Sequence, residues 1–346
     1  MREPDSIPAE GSLAAGRRAG NRLKPALGYL IALACLIWVF HNIHCGRFLQ
    51  AMRTISWMWV PPAVFFDILS YYTQGARWQL LLRPLGKVSS LRATQAIYIG
   101  LFTNEIVPLR AGELVRLFLV SRWLSVRLGS VIPSLVMERF FDGIWLALAI
   151  GVLAFFIPLP GELLGAAKVL SALVIFLTAL FVYLIFIQRT CAQNDKPGEG
   201  WRWNPLRMLV SFLRRLAEGV HAIGTSRFFF ASFVVSLFIL IFQIIALWMM
   251  MRAYGIPLSI WAGSVVLLIL HLGTAIPNAP SNIGTYQFFT VVGLTLFGVE
   301  KTLAASFSVG AFVVLTVPLW VIGLIAMWRT GMTFTAIRRE IKRMYG

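Results

Sequence analysis

Long apolar runs separated by short basic segments set the pattern of this chain. Runs long enough to cross a bilayer, about 20 residues each, fall near 26–43, 57–76, 136–157, 165–187, 228–251 and 303–327. Two further apolar stretches break the pattern. ATQAIYIGLFTNEIVPL (93–109) is too polar and too short for a lipid-facing span, and 260–297 is apolar on both sides of a PNAPSNIG interruption. Such breaks suit re-entrant or broken helices, because freed backbone groups must be buried in protein or face a wet cavity. The expected fold is an all-α integral membrane protein with about six full transmembrane helices and two re-entrant or broken hairpins.

Composition sharpens this reading. Hydrophobic residues fill 58% of the 346 positions and charged residues 13%, about half the charged share of soluble domains. No soluble core of that size hides so much apolar surface, so lipid must act as solvent. The net charge of +17 would point to nucleic acid in a soluble protein. Here the basic residues lie beside apolar runs, where they set orientation and meet anionic headgroups, so nucleic acid is excluded as a partner. Cys35, Cys45 and Cys191 form no paired framework. His41, His44 and Cys45 lack a second cluster to complete a tetrahedral site, and no metal or other cofactor is expected.

Basic clusters at 17–24, 77–92, 110–127, 189–227 and 329–343 are expected on the cytoplasmic side. The charge-poor segments 158–164 and 252–259, with 41–56, are expected outside. Both termini then face the cytoplasm, provided that 93–109 enters and returns from that side and 260–297 from the other. The domain plan is a disordered basic tail (1–25), a membrane domain (26–328) and a basic C-terminal tail (329–346). Within the membrane domain, halves 26–187 and 228–328 are joined by a cytoplasmic linker and amphipathic helix (188–227).

The two interruptions resemble each other. Pro108 and Gly112 in the first, and Pro280 and Gly284 in the second, are each four apart, and 172 residues separate the copies. Interrupted apolar segments at matching places in two halves point to a substrate site between inverted repeats. Proline removes a backbone donor and glycine relaxes steric limits, so each break is expected to expose N–H groups at a helix start, where an anion such as phosphate binds. Arg110 and Arg116 add charged donors to the first break, with Asn104 beside them and Glu105 and Glu113 as balancing acids. Asn278, Ser281, Asn282, Thr285 and Gln287 supply neutral donors to the second. The competing reading of the arginines is snorkelling to the inner headgroup level, and of Glu113 a helix-start cap.

A third constellation is MERFFDG, with Glu138, Arg139 and Asp142. Each such charge costs about 2.5–3.5 kcal/mol at mid-membrane unless paired. Spacing lets Arg139 pair with Asp142 and leaves Glu138 to meet Arg110 or Arg116; the alternative is an interfacial pair at the start of a span. Asp67 stands alone inside the second span, with Arg77 as a candidate partner and proton binding as a second role.

The succession RWQLLL, GLFTNEIVPLRAGELVR, MERFFDG and PNAPSNIGTYQ, from about Arg77 to Trp328, resembles the lysylphosphatidylglycerol synthase transmembrane-region family. This family is the flippase-like membrane half of bacterial multiple-peptide-resistance factors, also found as stand-alone proteins. Its motifs fall on Asn104, Pro108, Arg110, Gly112, Glu113 and Arg116, on Glu138, Arg139 and Asp142, and on Pro280 and Gly284. The resemblance implies movement of an anionic, isoprenoid-type or other envelope lipid between leaflets of a bacterial inner membrane. With the chain ending at Gly346, it also implies that aminoacyl transfer is absent, so an enzyme is not expected. Two other readings stand beside it: an accessory or scaffold protein partnering envelope-lipid biosynthetic enzymes, and a membrane-embedded lipid-modifying enzyme. A homo-oligomer is compatible with all three. No Walker motif is present, so ATP hydrolysis is not expected.

Overall fold

The computed structural model describes residues 27–107, 111–156, 227–275 and 279–332, with the isolated positions 161, 165, 172 and 176. The 1–25 tail, most of the expected 165–187 span, the linker with its amphipathic helix and the chain beyond 332 lie outside the described residues. So do Pro108, Arg110 and Asn278.

Helices and no strands make up the regular structure of the described residues. The helices are α1 (Leu27–Phe40), α2 (Cys45–Arg53), α3 (Val60–Leu82), α4 (Ser90–Ile106), α5 (Ala111–Leu124), α6 (Leu128–Phe156), α7 (Arg227–Ala253), α8 (Ile260–Thr274), α9 (Thr285–Thr295) and α10 (Lys301–Thr330). Three of them, α6, α7 and α10, are long and apolar enough to cross a membrane, and α1 with α2, bent by 92°, passes the same test as a broken pair. Few residues in their most apolar windows are buried within the protein (17%, 17% and 28%). Phe155, Phe230 and Trp328 instead point outward, at 91%, 71% and 83% exposure, as lipid-facing side chains do.

The element order departs from the expected one at two places. The 110–127 segment, expected as a basic cytoplasmic cluster, is largely the helix α5, folded back along α4. It buries Arg116 to 5% exposure. Likewise Arg77, counted with the 77–92 cluster, lies inside α3 at 1% exposure. Charge counting fails at both because an arginine paired inside the protein carries no topological information. The first interruption is thus a hairpin of two helices, α4 and α5, and the second is α8 and α9 joined through a short 3₁₀ turn (Pro280–Asn282).

Long, short, short, long is the order of α3 to α6, and it recurs in α7 to α10. The first short helix of each set is capped alike: Ser89 Oγ accepts from Arg92 N–H at 3.3 Å, and Ser259 Oγ from Ala262 N–H at 3.2 Å. The long helices α3 and α7 pack against each other along their length. They are antiparallel: Ser56 N–H donates to Ala253 O at the start of α3, and Arg77 reaches Ser236 towards its other end. Two apolar cores fill the ends of this pair. One holds Trp78, Leu81, Phe102, Val115, Met137 and Phe141, and the other Ala63, Met250, Val266, Leu294 and Phe307.

The α4–α5 hairpin closes on glycine. A Cβ added at Gly112 would lie 1.8 Å from the Gly100 carbonyl oxygen, and one at Gly100 would lie 2.8 Å from that of Gly112. The backbones touch, as small residues allow in membranes. In the second hairpin Gly284 has φ +89°, which only glycine adopts without strain.

Candidate functional site: a charged cavity between the hairpins

A cavity of about 600 Å³ lies between the two cores, lined by α3 to α8, the 280–282 turn, the start of α9 and the middle of α10. Four long helices, α3, α6, α7 and α10, and the two hairpins thus enclose a surface that carries several charged and polar groups.

Its centre is a network of three arginines and three carboxylates. Arg77 Nη2 lies 2.9 Å from Glu138 Oε1, and Arg116 Nη1 lies 3.1 Å from Glu138 Oε2. Arg77 Nη1 also donates to Asp142 Oδ1 and, at 3.2 Å, to Ser236 Oγ. Arg139 donates to Glu113 Oε1 and stands 3.8 Å from Asp142 Oδ2. The guanidinium of Arg116 is stacked over Trp78 at 5.0 Å, while Trp78 Nε1 donates to Ser134 Oγ at 3.1 Å. Spacing on α6 explains the layout: Glu138 and Asp142 are one turn apart, so both face α3, and Arg139 turns towards α5.

Burial divides the network in two. The side chains of Arg77, Glu138 and Arg116 are 2%, 4% and 6% exposed. Those of Arg139, Glu113 and Asp142 are 48%, 19% and 41% exposed. The first group is a sealed node tying α3, α5 and α6 together. The second is an open rim.

The two hairpin breaks meet at the cavity. Ser281 Oγ donates to the Glu105 carbonyl at 3.0 Å, and Trp320 Nε1 to Glu105 Oε2 at 3.2 Å. The free N–H groups expected at the breaks are a different matter. Gly112 N–H donates to Asn104 Oδ1 at 2.8 Å, and Gly284 N–H to Gln287 Oε1 at 2.7 Å. Side-chain amides of the chain itself thus occupy these two donors. Thr285 hydroxyl is turned to Asn282 O at 2.9 Å.

Of the residues singled out from sequence, Asn104, Glu105, Glu113, Arg116, Glu138, Arg139, Asp142, Ser281 and Asn282 line the cavity. Gly112, Pro280, Gly284 and Thr285 shape the breaks without lining it. The pairing of Glu138 with Arg116 expected from spacing is present. Snorkelling of Arg116 is excluded by its burial, while Glu113 does sit in the first turn of α5 in addition to holding Arg139. Asp67 lines the cavity but is not paired with Arg77, whose donors face Glu138 and Asp142. Sequence reasoning left out Arg77 as a site residue, along with Tyr71, Gln74, Gln243, His271 and Tyr286. An arginine inside an apolar run was signal enough for the first; the others carry no charge pattern to betray them.

Relatives give the context. A UPF0104 membrane protein of Methanothermobacter thermautotrophicus is 23% identical over 304 residues, covering 82% of this chain and 85% of that protein. One from Methanocaldococcus jannaschii is 23% identical over 352 residues, covering 93% and 98%. The Glycosyltransferase AglD of Haloferax volcanii is 27% identical over 155 residues, 44% of this chain but 25% of that protein. These relatives are archaeal, so they give no support to a bacterial host. No solved structure matches the chain. Residues 26–325 match the family model described as "Lysylphosphatidylglycerol synthase TM region", and the chain belongs to that family.

Proposed function

We propose that this protein moves a lipid bearing an anionic phosphate headgroup between membrane leaflets, carrying the headgroup through the cavity while the tails stay in lipid. The observation that carries this reading is the open rim: Arg139, half-exposed, is held by two acids that are themselves partly exposed. A phosphate can displace Glu113 or Asp142 from Arg139 at little cost, because the pairs it replaces are weak. Charge-assisted bonds to phosphate are stronger than neutral ones. The sealed node beneath fixes the geometry, with Arg77 Nε left without an acceptor among the described residues.

Alternating access follows from inverted halves. The recurring helix order and the antiparallel α3–α7 pair support halves α3–α6 and α7–α10, with the contact of Ser281 with Glu105 opening as one half rocks on the other. The accessory reading draws its support from the glycosyltransferase relative, in which a matching segment is a minor part of a larger protein.

The test is leaflet exchange of fluorescent lipids in proteoliposomes across a headgroup series. Phosphatidylglycerol-type and isoprenoid-phosphate lipids are expected to cross at least about tenfold faster than lipids without phosphate, a difference of about 1.4 kcal/mol. Equal rates for all headgroups, or none above empty vesicles, would reject direct phosphate-guided transport and leave the accessory role.

A further inference from the structure

Asp67 is the one acid lining the cavity that stands outside every described ion pair and side-chain hydrogen bond. Arg77, Arg116 and Arg139 are matched one for one by Glu113, Glu138 and Asp142, and Glu105 accepts from Trp320. Asp67 is 7% exposed, and its Oδ2 has no donor among the described residues. It nevertheless lines the cavity, so whatever enters there reaches it.

The groups around Asp67 supply no countercharge. Tyr71, one turn on in α3, Tyr98 from α4 and Tyr286 from α9 all lie within its electrostatic reach, and Glu105 of α4 acts on Tyr71 as well. Tyr98 stacks edge-on to Tyr71 at 5.6 Å, and its hydroxyl has no partner among the described residues. The part of α7 that lines the cavity offers the neutral Ser236 and Gln243, and α10 offers Phe312, Thr316 and apolar residues. Across the cavity stand His271 of α8 and the Glu138–Arg139–Asp142 face of α6. A bare carboxylate in such a site is costly, whereas a carboxylic acid is not, and phenol hydroxyls can accept its proton's hydrogen bond.

We propose that Asp67 is a proton-binding site, exchanging with the cavity and coupling the headgroup's movement to a proton gradient. This rests on the transport reading above. An anion on the rim and a charged Asp67 repel each other in one low-dielectric chamber, so the anion is accompanied by a protonated Asp67. Linkage makes the effect mutual: the proton strengthens anion binding by the same factor that the anion strengthens proton binding. One proton then neutralises one phosphodiester charge, and the pair crosses without net charge.

The experiment measures anionic-lipid exchange in proteoliposomes with a pH step across the membrane, while a trapped pH dye records proton flux. A one-proton coupling gives a bias of up to about tenfold per pH unit. Wild type is expected to show that bias with matching proton flux, Asp67→Glu to keep it, and Asp67→Asn to move lipid without bias or flux. Lipid movement in wild type with no bias and no flux would overturn the inference and leave the transport reading intact. The same bias in Asp67→Asn would remove the assignment to this residue. If wild type moves no lipid, the transport reading fails instead, and infrared titration of the purified protein decides the site by itself. A carboxyl band titrating between about pH 5 and 9, present in wild type and absent in Asp67→Asn, supports a proton site; its absence from wild type overturns it.

Discussion

Glu138→Ala is expected to destabilise the protein by about 3–5 kcal/mol, the cost of breaking a buried pair by removing one partner. The variant leaves two guanidinium groups, on Arg77 and Arg116, at 1% and 5% exposure. Arg77 keeps Asp142, but among the described residues Arg116 keeps only the face of Trp78, a contact worth about 2 kcal/mol or more when desolvated. The result is read as a shift in unfolding of the detergent-purified protein and as lost yield of inserted protein. Replacing node residues together, as in Arg116→Met with Glu138→Leu, should recover part of the loss, because apolar groups of similar volume replace buried ion pairs at little net cost. A Glu138→Ala variant that unfolds like wild type would mean that the node does not hold α3, α5 and α6 together.

Arg139→Ala should behave in the opposite way. Its partners are partly exposed, and such pairs contribute about 0–1 kcal/mol, so unfolding should shift little. If Arg139 grips the headgroup phosphate, its loss removes a charged hydrogen bond worth about 1.5–3 kcal/mol. Lipid exchange should then slow by roughly 10- to 150-fold. Arg47→Ala is the control, since its 3.3 Å pair with Glu300 lies outside the cavity with both side chains more than half exposed; neither stability nor exchange should change. Wild-type exchange in a well-inserted Arg139→Ala would take the rim out of the mechanism. The two variants thus separate what builds the cavity from what uses it.

Much of this arrangement was legible in the residues. Apolar runs placed α6, α7 and α10 to within a few residues at most ends, because a lipid-facing helix must be apolar on most of its surface. The start of α6 was missed by eight residues, since it packs on protein and carries polar residues there. Glu138, Arg139 and Asp142 announced themselves as charges too costly to leave unpaired. Arg77 and Arg116 fall within basic clusters yet are interior; the spacing nevertheless pointed to the pairing of Arg116 with Glu138. The occupied amides of Gly112 and Gly284 were hidden for another reason. Whether a helix-start donor is free depends on which side chain folds over it: no spacing rule names Asn104 in advance, whereas Gln287, three residues after Gly284, has capping-box spacing. The second set of helices follows the order of the first but, among the described residues, none of its charge network: α7 and α8 contribute Ser236, Gln243, His271 and Thr274 to the polar lining beside their apolar residues. The charged groups of the cavity therefore come from α3 to α6.

The most direct measurement is labelling of the membrane-embedded protein with an anionic lipid carrying a photoreactive group on its phosphate headgroup, followed by peptide mapping. Label is expected on cavity-lining stretches of α3, α6 and α7, around Gln74, Asp142 and Gln243, reduced by unlabelled anionic lipid and lost in Arg139→Ala. Label confined to residues outside the cavity, unchanged by Arg139→Ala, would contradict a headgroup path through the protein.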